Sequence, residues 1–449
     1  MTEDASVSSG GQSTTPPRMR WLYVFAIGLG FFTTGVSWGV YNSYLPARFL
    51  PDFITGDLQN TIIGLIMVLD NIAALILQPY IGAKSDKVRT RFGRRMPFIM
   101  IGTPIAAVFF VLIAYGWALF GFWFMFAALT VFNVSMAFYR APVVALMPDL
   151  VPSELRSKAN GVINMMGGLG AIYAFFIASR IYGIQDAGVG ALLGVTAEQS
   201  GKILAFLTTS IIMIAAVVLL FVVIKEPKVP PTDVQKEMGV VQAFKSVSLS
   251  SDKSVLMLMG AIFFWFFSYN SIETWFTKYG VEILSIPENN ASFLLGGIAV
   301  SFVVFAIPAG IVAGKLGRKN TIMVGIIIMT SVLAMLYFIH DPIVILIVFV
   351  VGGIGWAFIN VNSIVMIWQL LGRARLGAGT GIYYSASMSA AILGPFLSGF
   401  IFDMTSIGML FPTSVVFMIV ALLFMSMVRS GEVGDVEVDA PHSALPAGE

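Results

Sequence analysis

The chain is a succession of long apolar runs separated by short polar breaks. The runs are Trp21–Tyr44, Thr61–Ala83, Pro97–Tyr115, Leu119–Leu146, Asn160–Tyr182, Ile203–Ile224, Val255–Thr277, Ala291–Ala313, Thr321–Ile339, Ile343–Gln369, Ala378–Phe402 and Leu410–Met427. A helix needs about 20 residues, at roughly 1.5 Å each, to cross about 30 Å of hydrocarbon. Every run approaches or exceeds that length. The pattern therefore predicts an all-α membrane protein of twelve transmembrane helices. Its weakest break is Gly116–Ala118, a very short turn between two apolar runs. The polar opening residues lead into no short apolar stretch with a small-residue cleavage site, so Trp21–Tyr44 is expected to stay as the first helix.

Composition agrees with lipid as the solvent. Of 449 residues, 57% are hydrophobic and 11% charged, and the mean hydropathy is +0.88. A soluble domain carries roughly 25% charged residues. Cysteine is absent, which excludes a disulfide framework and thiolate metal sites. His340 falls at a predicted helix end and His442 in a polar tail, so neither suits a zinc site or a Ser-His-Asp triad. No Walker-type phosphate loop is visible, which argues against ATP hydrolysis as an energy source. No cofactor, no enzymatic activity and no nucleic-acid partner is expected.

Charge placement fixes an expected orientation. With both termini and the even-numbered loops in the cytoplasm, only Arg48, Arg180, Lys202 and Lys278 of the 26 Lys and Arg fall on the other side. That is the positive-inside distribution of a plasma-membrane protein, and a bacterial inner membrane suits it. The longest polar connection, Glu226–Lys253, carries Pro227, Pro230 and Pro231 and divides the runs six and six. The expected organisation is a disordered tail over 1–20, a six-helix bundle over 21–225, a linker over 226–253, a second bundle over 254–428 and a tail over 429–449. Equal halves suggest a pseudo-repeat with a ligand site between them near midplane. A short repeat supports this. After the second run come Gly82, Asp86 and then Gly93-Arg94-Arg95; after the eighth come Gly310, Gly314 and then Gly317-Arg318-Lys319. Gly314 stands where the first copy has Asp86.

This repeat resembles the loop motif of the major facilitator superfamily. Within it, Gln78-Pro79-Tyr80-Ile81-Gly82, Ser85-Asp86 and Arg91-Phe92-Gly93-Arg94-Arg95 are similar to sucrose–proton symporters and their bacterial relatives, in the wider group of glycoside, pentoside and hexuronide cation symporters. Tyr139-Arg140-Ala141, Pro148-Asp149 and Tyr269-Asn270 with Glu273-Thr274 point the same way. The resemblance implies two six-helix bundles moving by alternating access around a bound sugar. It also implies that Gly82, Asp86, Arg94 and Arg95 act in gating, with Asp86 against the start of the eleventh helix near Ala378. Two departures matter. Ala74 and Gln78 replace the acid pair of sodium-coupled members, and Leu119–Asn133 lacks the proton-carrying acid of plant sucrose symporters.

The candidate chemistry lies in ionisable groups inside spans. An Asp at a helix centre costs about 2.5–3.5 kcal/mol on insertion scales, which makes function the default reading. Asp70 lies about 13.5 Å into the second helix, near midplane. Asp70 and Glu273 are the candidates for proton coupling. Asn270, three residues before Glu273, shares its helix face. Arg140 is a candidate for sugar binding or for pairing with Asp70, because its planar fork holds two oxygens at once. Amides and aromatics for a sugar come from Trp38, Tyr41, Asn42, Asn71, Asn164, Asn270, Trp356, Asn360, Tyr383 and Tyr384. Asn360 and Asn362 cannot share one face, so one of them is expected to pack between helices. The expected function is a proton-coupled symporter of a disaccharide or related glycoside. Its partners are a sugar, a proton and the bilayer, and it acts as a monomer. An exporter of sugars, drugs or lipids is the alternative within the fold, and a non-transporting membrane sensor is the alternative outside it.

Overall fold

The computed structural model describes residues 20–152, 155–226, 253–371 and 376–429. The expected tails, apart from Arg20 and Arg429, and nearly all of the expected 226–253 linker lie outside the described residues. Twelve helices among the described residues are long and apolar enough to cross a membrane. They are α1 Trp21–Phe49, α2 Gln59–Lys87, α3 Met96–Phe120, α4 Phe122–Leu150, α5 Ala159–Tyr182 and α6 Ala197–Val223 in the first half. The second half holds α7 Ser254–Glu282, α8 Glu288–Leu316, α9 Arg318–Leu336, α10 Pro342–Leu371, α11 Gly379–Met404 and α12 Ile407–Ser426. No strand occurs among the described residues. We call the face where α1 begins and α12 ends the terminal face, and the opposite one the distal face.

Several helices run further than their apolar cores suggest. Polar turns join the apolar stretch because a helix satisfies its own backbone groups, and lipid offers nothing else. α4 continues through Pro142 and Pro148 to Leu150, so Arg140 lies ten residues from its end, about 15 Å deep. The weak break at Gly116–Ala118 is a π turn over Gly116–Phe120, and the chain reverses at Gly121, whose φ of 86° suits glycine. α6 starts where a Thr-x-x-Gln pattern sits: Thr196 and Gln199 bond reciprocally as a capping box.

The helices form two bundles of six. In the first, α1 packs against α5 and α6, α3 against α4 and α6, and α2 against α4. In the second, α7 packs against α11 and α12, α8 against α10, and α9 against α10 and α12. The seam between bundles is made by α2 with α11, α5 with α8, and α1 with α7. Large apolar side chains such as Ile76, Val222, Ile307 and Ile343 project from the outside of the bundles, as a lipid-facing surface requires.

Glycines show where the helices touch. A Cβ on Gly170 would lie 2.4 Å from the carbonyl oxygen of Phe32, and one on Gly35 would lie 2.2 Å from that of Gly167. The α1–α5 contact is therefore backbone on backbone, the small-residue packing that membrane helices favour. A carbonyl cannot swing aside as a side-chain tip can, so Gly170→Ala is expected to lower stability by about 1–3 kcal/mol. Thermal unfolding in detergent measures it; an unchanged midpoint would show that the two helices slide apart freely.

The same probe reveals which mouth is shut. On the distal half, Gly64 abuts Pro395 and Phe396, Gly296 abuts Phe176, and Gly399 abuts Asn60, each across the seam. Toward the terminal face, Gly82, Gly161, Gly310 and Gly314 have nothing within 4 Å of where a Cβ would stand. The bundles converge at the distal face, and among the described residues the cleft between them opens toward the terminal face.

Candidate transport site

A cavity of about 370 Å³ lies between the bundles. α1 and α5 supply one wall, and α7, α8 and α10 the other. Trp38, Asn164, Asn270, Glu273, Trp356 and Asn360, all expected from the sequence, line it. Among the described residues, the cavity wall contains one carboxyl and no Lys, Arg or His. Trp356 stacks flat on Tyr269, with ring centroids 3.9 Å apart and planes 4° apart. Phe266 closes edge-on against Trp356 at 5.4 Å. α5 widens into a π turn over Tyr173–Ala178, and Phe175 of that turn lines the cavity. Such turns are frequent at functional sites.

Glu273 is tied across the seam. The side-chain amide of Asn42 on α1 donates to its Oε1 at 3.2 Å. A carboxyl of one bundle is thus held by an amide of the other, at the wall of the cavity. Asn270 lies one turn away on the same face, and its amide donates to the carbonyl of Phe266 at 2.7 Å. Lys278, close to Glu273 in sequence, takes no part. It is directed to Gln59, Asn60 and Glu282 at the distal face.

Asp70 marks a second polar point. α2 is interrupted at Val68, and its second segment, Leu69–Lys87, begins there. Asp70 sits in that segment's first turn, where the amide of Asn71 and its own amide face the carboxyl. The side chain of Asn71 donates to Oδ1 at 2.8 Å. First-turn amides lack intrahelical acceptors, and the helix dipole favours a carboxylate beside them. Arg140 and Glu273 both act on Asp70 electrostatically, the first attracting and the second repelling. Arg140 makes no ion pair with Asp70 in this conformation. It also acts electrostatically on Tyr384 of α11, in the opposite bundle.

Six expected sugar-binding residues do not line the cavity: Asn42, Asn71 and Arg140, placed above, and Tyr41, Tyr383 and Tyr384. Tyr41 is fully buried and does not line the cavity. Its ring packs between Trp38 and Phe132, and its hydroxyl accepts from Asn133 at 3.3 Å. Tyr383 is 7% exposed and packs edge-on against Phe266 behind the cavity wall. Tyr384 is exposed but outside the cavity lining. Of the two amides on α10, Asn362 is the one that packs between helices. It donates to the carbonyls of Ala309 and Phe358 and accepts from Arg318.

The gating candidates form a charge cluster at the terminal face. Arg95 reaches Asp86 and Ser85, and it donates to Gly82 O at 3.2 Å. Its Nε donates to Asp149 Oδ2 at 3.0 Å, and Arg94 holds the other oxygen of Asp149 at 2.5 Å. Glu226 caps the start of α3, accepting from the amides of Arg95 at 2.9 Å and Met96 at 3.2 Å. Gly93 makes this possible. Its φ of 111° turns the chain, and a Cβ there would lie 2.2 Å from the Glu226 carboxylate. Asp86 itself is about half exposed beyond these arginines. The side chains around Ala378, its expected partner on α11, lie outside the described residues.

The model of the Major Facilitator Superfamily matches residues 27–301 and 281–447. The chain belongs to the Major Facilitator Superfamily. Among curated relatives, it is similar to the general alpha-glucoside permease of Schizosaccharomyces pombe, at 22% identity over 60% of this chain and 49% of the permease. The chain thus spans about half the length of that relative. It is 24% identical to the class B tetracycline resistance protein of Escherichia coli, over 79% of this chain and 82% of that one. It is 22% identical to the isoprimeverose transporter of Lactiplantibacillus pentosus, over 69% and 62%. Among solved structures, a bacterial homolog of the human lysosomal transporter Spinster, inward-facing and occupied, superposes with a TM-score of 0.69. It has 14% identity and covers 92% of this chain and 97% of its own. A point mutant of the nucleoside transporter NupG superposes at 0.68 with 16% identity, covering 91% and 99%. Both likenesses are of fold.

As a member of this superfamily, the chain shows its two loop motifs doing unlike work. Arg94 and Arg95 are clamped by Asp86, Asp149 and Glu226. In the second copy, Arg318 reaches the neutral Asn362, and Lys319 donates to the carbonyls of Ser426 and Val428 at the end of α12. Sequence reasoning missed Asp149 and Glu226 as members of the cluster. Asp149 was visible as an acid in the last turn of α4, and Glu226 as one just past α6, but neither lies inside an apolar run. It also missed Tyr269 in the cavity wall, although the i, i+4 spacing to Glu273 places both on one face.

Proposed function

We propose that the chain is a proton-coupled symporter of a neutral disaccharide or related glycoside, working by alternating access. Its terminal face lies in the cytoplasm of the plasma membrane, and one chain suffices. The observation that carries this reading is the make-up of the cavity wall. Amides from three helices, Asn164, Asn270 and Asn360, stand around a flat Trp356–Tyr269 stack. Sugar rings present apolar C–H faces and a rim of hydroxyls, and such a wall offers partners for both. With Glu273 in the wall and no cation among its described residues, an anionic uronide is disfavoured. The permease and isoprimeverose relatives support a glycoside.

Coupling is assigned to Asp70 and Glu273. The two carboxyls repel each other, while Arg140 attracts Asp70 and Asn42 holds Glu273. A proton on one relieves the repulsion, and a sugar hydroxyl competing for Asn42 alters the hold on the other. Solute and proton occupancy therefore influence each other. Asp86, Arg94 and Arg95 act at the cytoplasmic mouth.

The test is uptake into proteoliposomes under an imposed pH gradient, across sucrose, maltose, other glycosides, glucuronides and monosaccharides. Gradient-driven uptake of a neutral glycoside, with glucuronides excluded, is expected. Sodium dependence without pH dependence would remove proton coupling. A second reading rests on the seven aromatic side chains among the 21 cavity-lining residues, around a lone carboxyl, and on the tetracycline resistance relatives. It is export of a cationic amphiphile, and drug efflux with no sugar uptake would establish it instead. For the best sugar, Trp356→Ala is expected to weaken binding about tenfold, as loss of one stacking partner worth about 1.4 kcal/mol. Titration of bound sugar by calorimetry measures this, and unchanged affinity would place the sugar away from the stack.

A further inference from the structure

The distal face holds a second polar cluster that the transport site does not use. Asp403, near the end of α11, extends its carboxylate to the first turn of α2 in the other bundle. One oxygen accepts from the amide N–H of Asn60 at 3.0 Å and from its side-chain amide at 2.9 Å. The other accepts from the N–H of Thr61 at 2.6 Å and from its hydroxyl at 2.5 Å. Four donors from two residues saturate the carboxylate. Lys278 on α7, 2% exposed, adds a second grip. Its ammonium donates to the side-chain oxygen of Asn60 at 2.5 Å and to that of Gln59 at 3.2 Å. Asn60 is therefore held at once by two helices of the opposite bundle.

The backbones meet at the same place. A Cβ on Gly399 would lie 2.4 Å from the carbonyl oxygen of Asn60. The first amides of a helix have no intrahelical acceptor, and a carboxylate is the partner that the dipole favours. The other distal seam carries fewer polar contacts among the described residues. There Ser43 meets Ser292 at 2.9 Å, and Arg48 and Glu288 stand 3.9 Å apart. When the bundles separate, water can take over every bond made by Asp403 and Lys278, so the contact can break without stranding a buried charge.

We propose that Asp403, with Lys278, latches the start of α2 and holds the distal mouth shut, so that this contact must break before the distal side of the cavity opens. The latch sets the balance between the two open states whatever solute is carried. Its test can therefore fail while the substrate reading stands, and the reverse.

The chain contains no cysteine, which makes site-directed labelling direct. Asp57 and Ser406 are exposed on the distal face, one on each bundle. Spin labels on Asp57→Cys and Ser406→Cys, in the full chain in nanodiscs, report the mouth by pulsed electron resonance. Asp403→Ala is expected to raise the long-distance fraction about tenfold, the cost of losing a charge-assisted contact. Asn60→Ala combined with Thr61→Ala removes both side-chain donors from the other bundle and moves the distribution the same way, and Lys278→Met moves it less. Thr405→Ala is the control, since its hydroxyl bonds within its own helix, and it leaves the distribution unchanged. Unshifted distances in both the Asp403 and the Asn60/Thr61 variants overturn the latch. So does equal opening by Thr405→Ala. If Asp403→Ala does not elute as a folded monodisperse species, the Asn60/Thr61 variant decides.

Discussion

Asp70→Asn abolishes sugar accumulation against a gradient while leaving exchange of internal for external sugar intact. The argument runs from the geometry of α2. Asp70 stands where the helix restarts after Val68, held by first-turn amides and by Asn71. Asn keeps the shape and one acceptor oxygen but cannot take up or release a proton. It also removes the charge that Arg140 and Glu273 act on. With one proton per sugar and about two pH units across the membrane, the unmodified chain has about 2.7 kcal/mol to use, equivalent to roughly hundredfold accumulation. Asp70→Asn is expected to equilibrate sugar at about equal concentrations on the two sides. Labelled-sugar uptake and counterflow in the same vesicles separate the two activities. Accumulation that survives Asp70→Asn but fails with Glu273→Gln would move the coupling role to Glu273 alone.

The largest structural effect is expected at Arg95. Its side chain is 6% exposed and meets Asp86, Asp149, Ser85 and Gly82 O. Asp149 is itself 12% exposed and Glu226, one bond further on, 1%. Removing one partner of a buried pair leaves the other charge without compensation, at about 3–5 kcal/mol. Arg94 still holds Asp149 in Arg95→Ala, and Asp86 is half exposed, so the loss of stability should fall at the lower end, about 3 kcal/mol, read from thermal or denaturant unfolding in detergent. Arg95→Lys should recover only part, because a point charge cannot hold Asp149 and Asp86 in two directions as the guanidinium fork does. Combining Arg95→Ala with Asp149→Asn should cost less than the sum of the two, since the double variant leaves fewer charges stranded. Additive losses would show that the cluster does not act as a unit.

Which features could be read from the chain follows from what each depends on. The twelve spans were legible because lipid forces each helix to be apolar along its length, and length alone then sets the count. Helix ends were less legible. Polar turns such as Pro148-Asp149-Leu150 continue α4 for reasons of hydrogen bonding and ion pairing, which hydropathy does not register. Within the cavity, Trp38, Asn164, Glu273, Trp356 and Asn360 could be found because polar or aromatic side chains deep in an apolar run call for a partner. The same rule pointed to Tyr41, whose partner proves to be Asn133 inside the bundle rather than the cavity. Local sequence says that such a group needs a partner, not which helix supplies it. The Asn42–Glu273 bond and the grip of Asp403 on Asn60 and Thr61 join residues more than 200 positions apart. Contacts of that kind follow from how the bundles meet. The break at Val68 carries neither Gly nor Pro, and the sequence gives no local sign of it.

The most direct measurement is external pH, recorded when the transported glycoside is added to lightly buffered proteoliposomes with no imposed gradient. Transport through carboxyls shared by two mobile bundles predicts alkalinisation outside, in step with sugar entry, and none with Asp70→Asn. Sugar entry with no change in external pH in the unmodified protein would contradict the account.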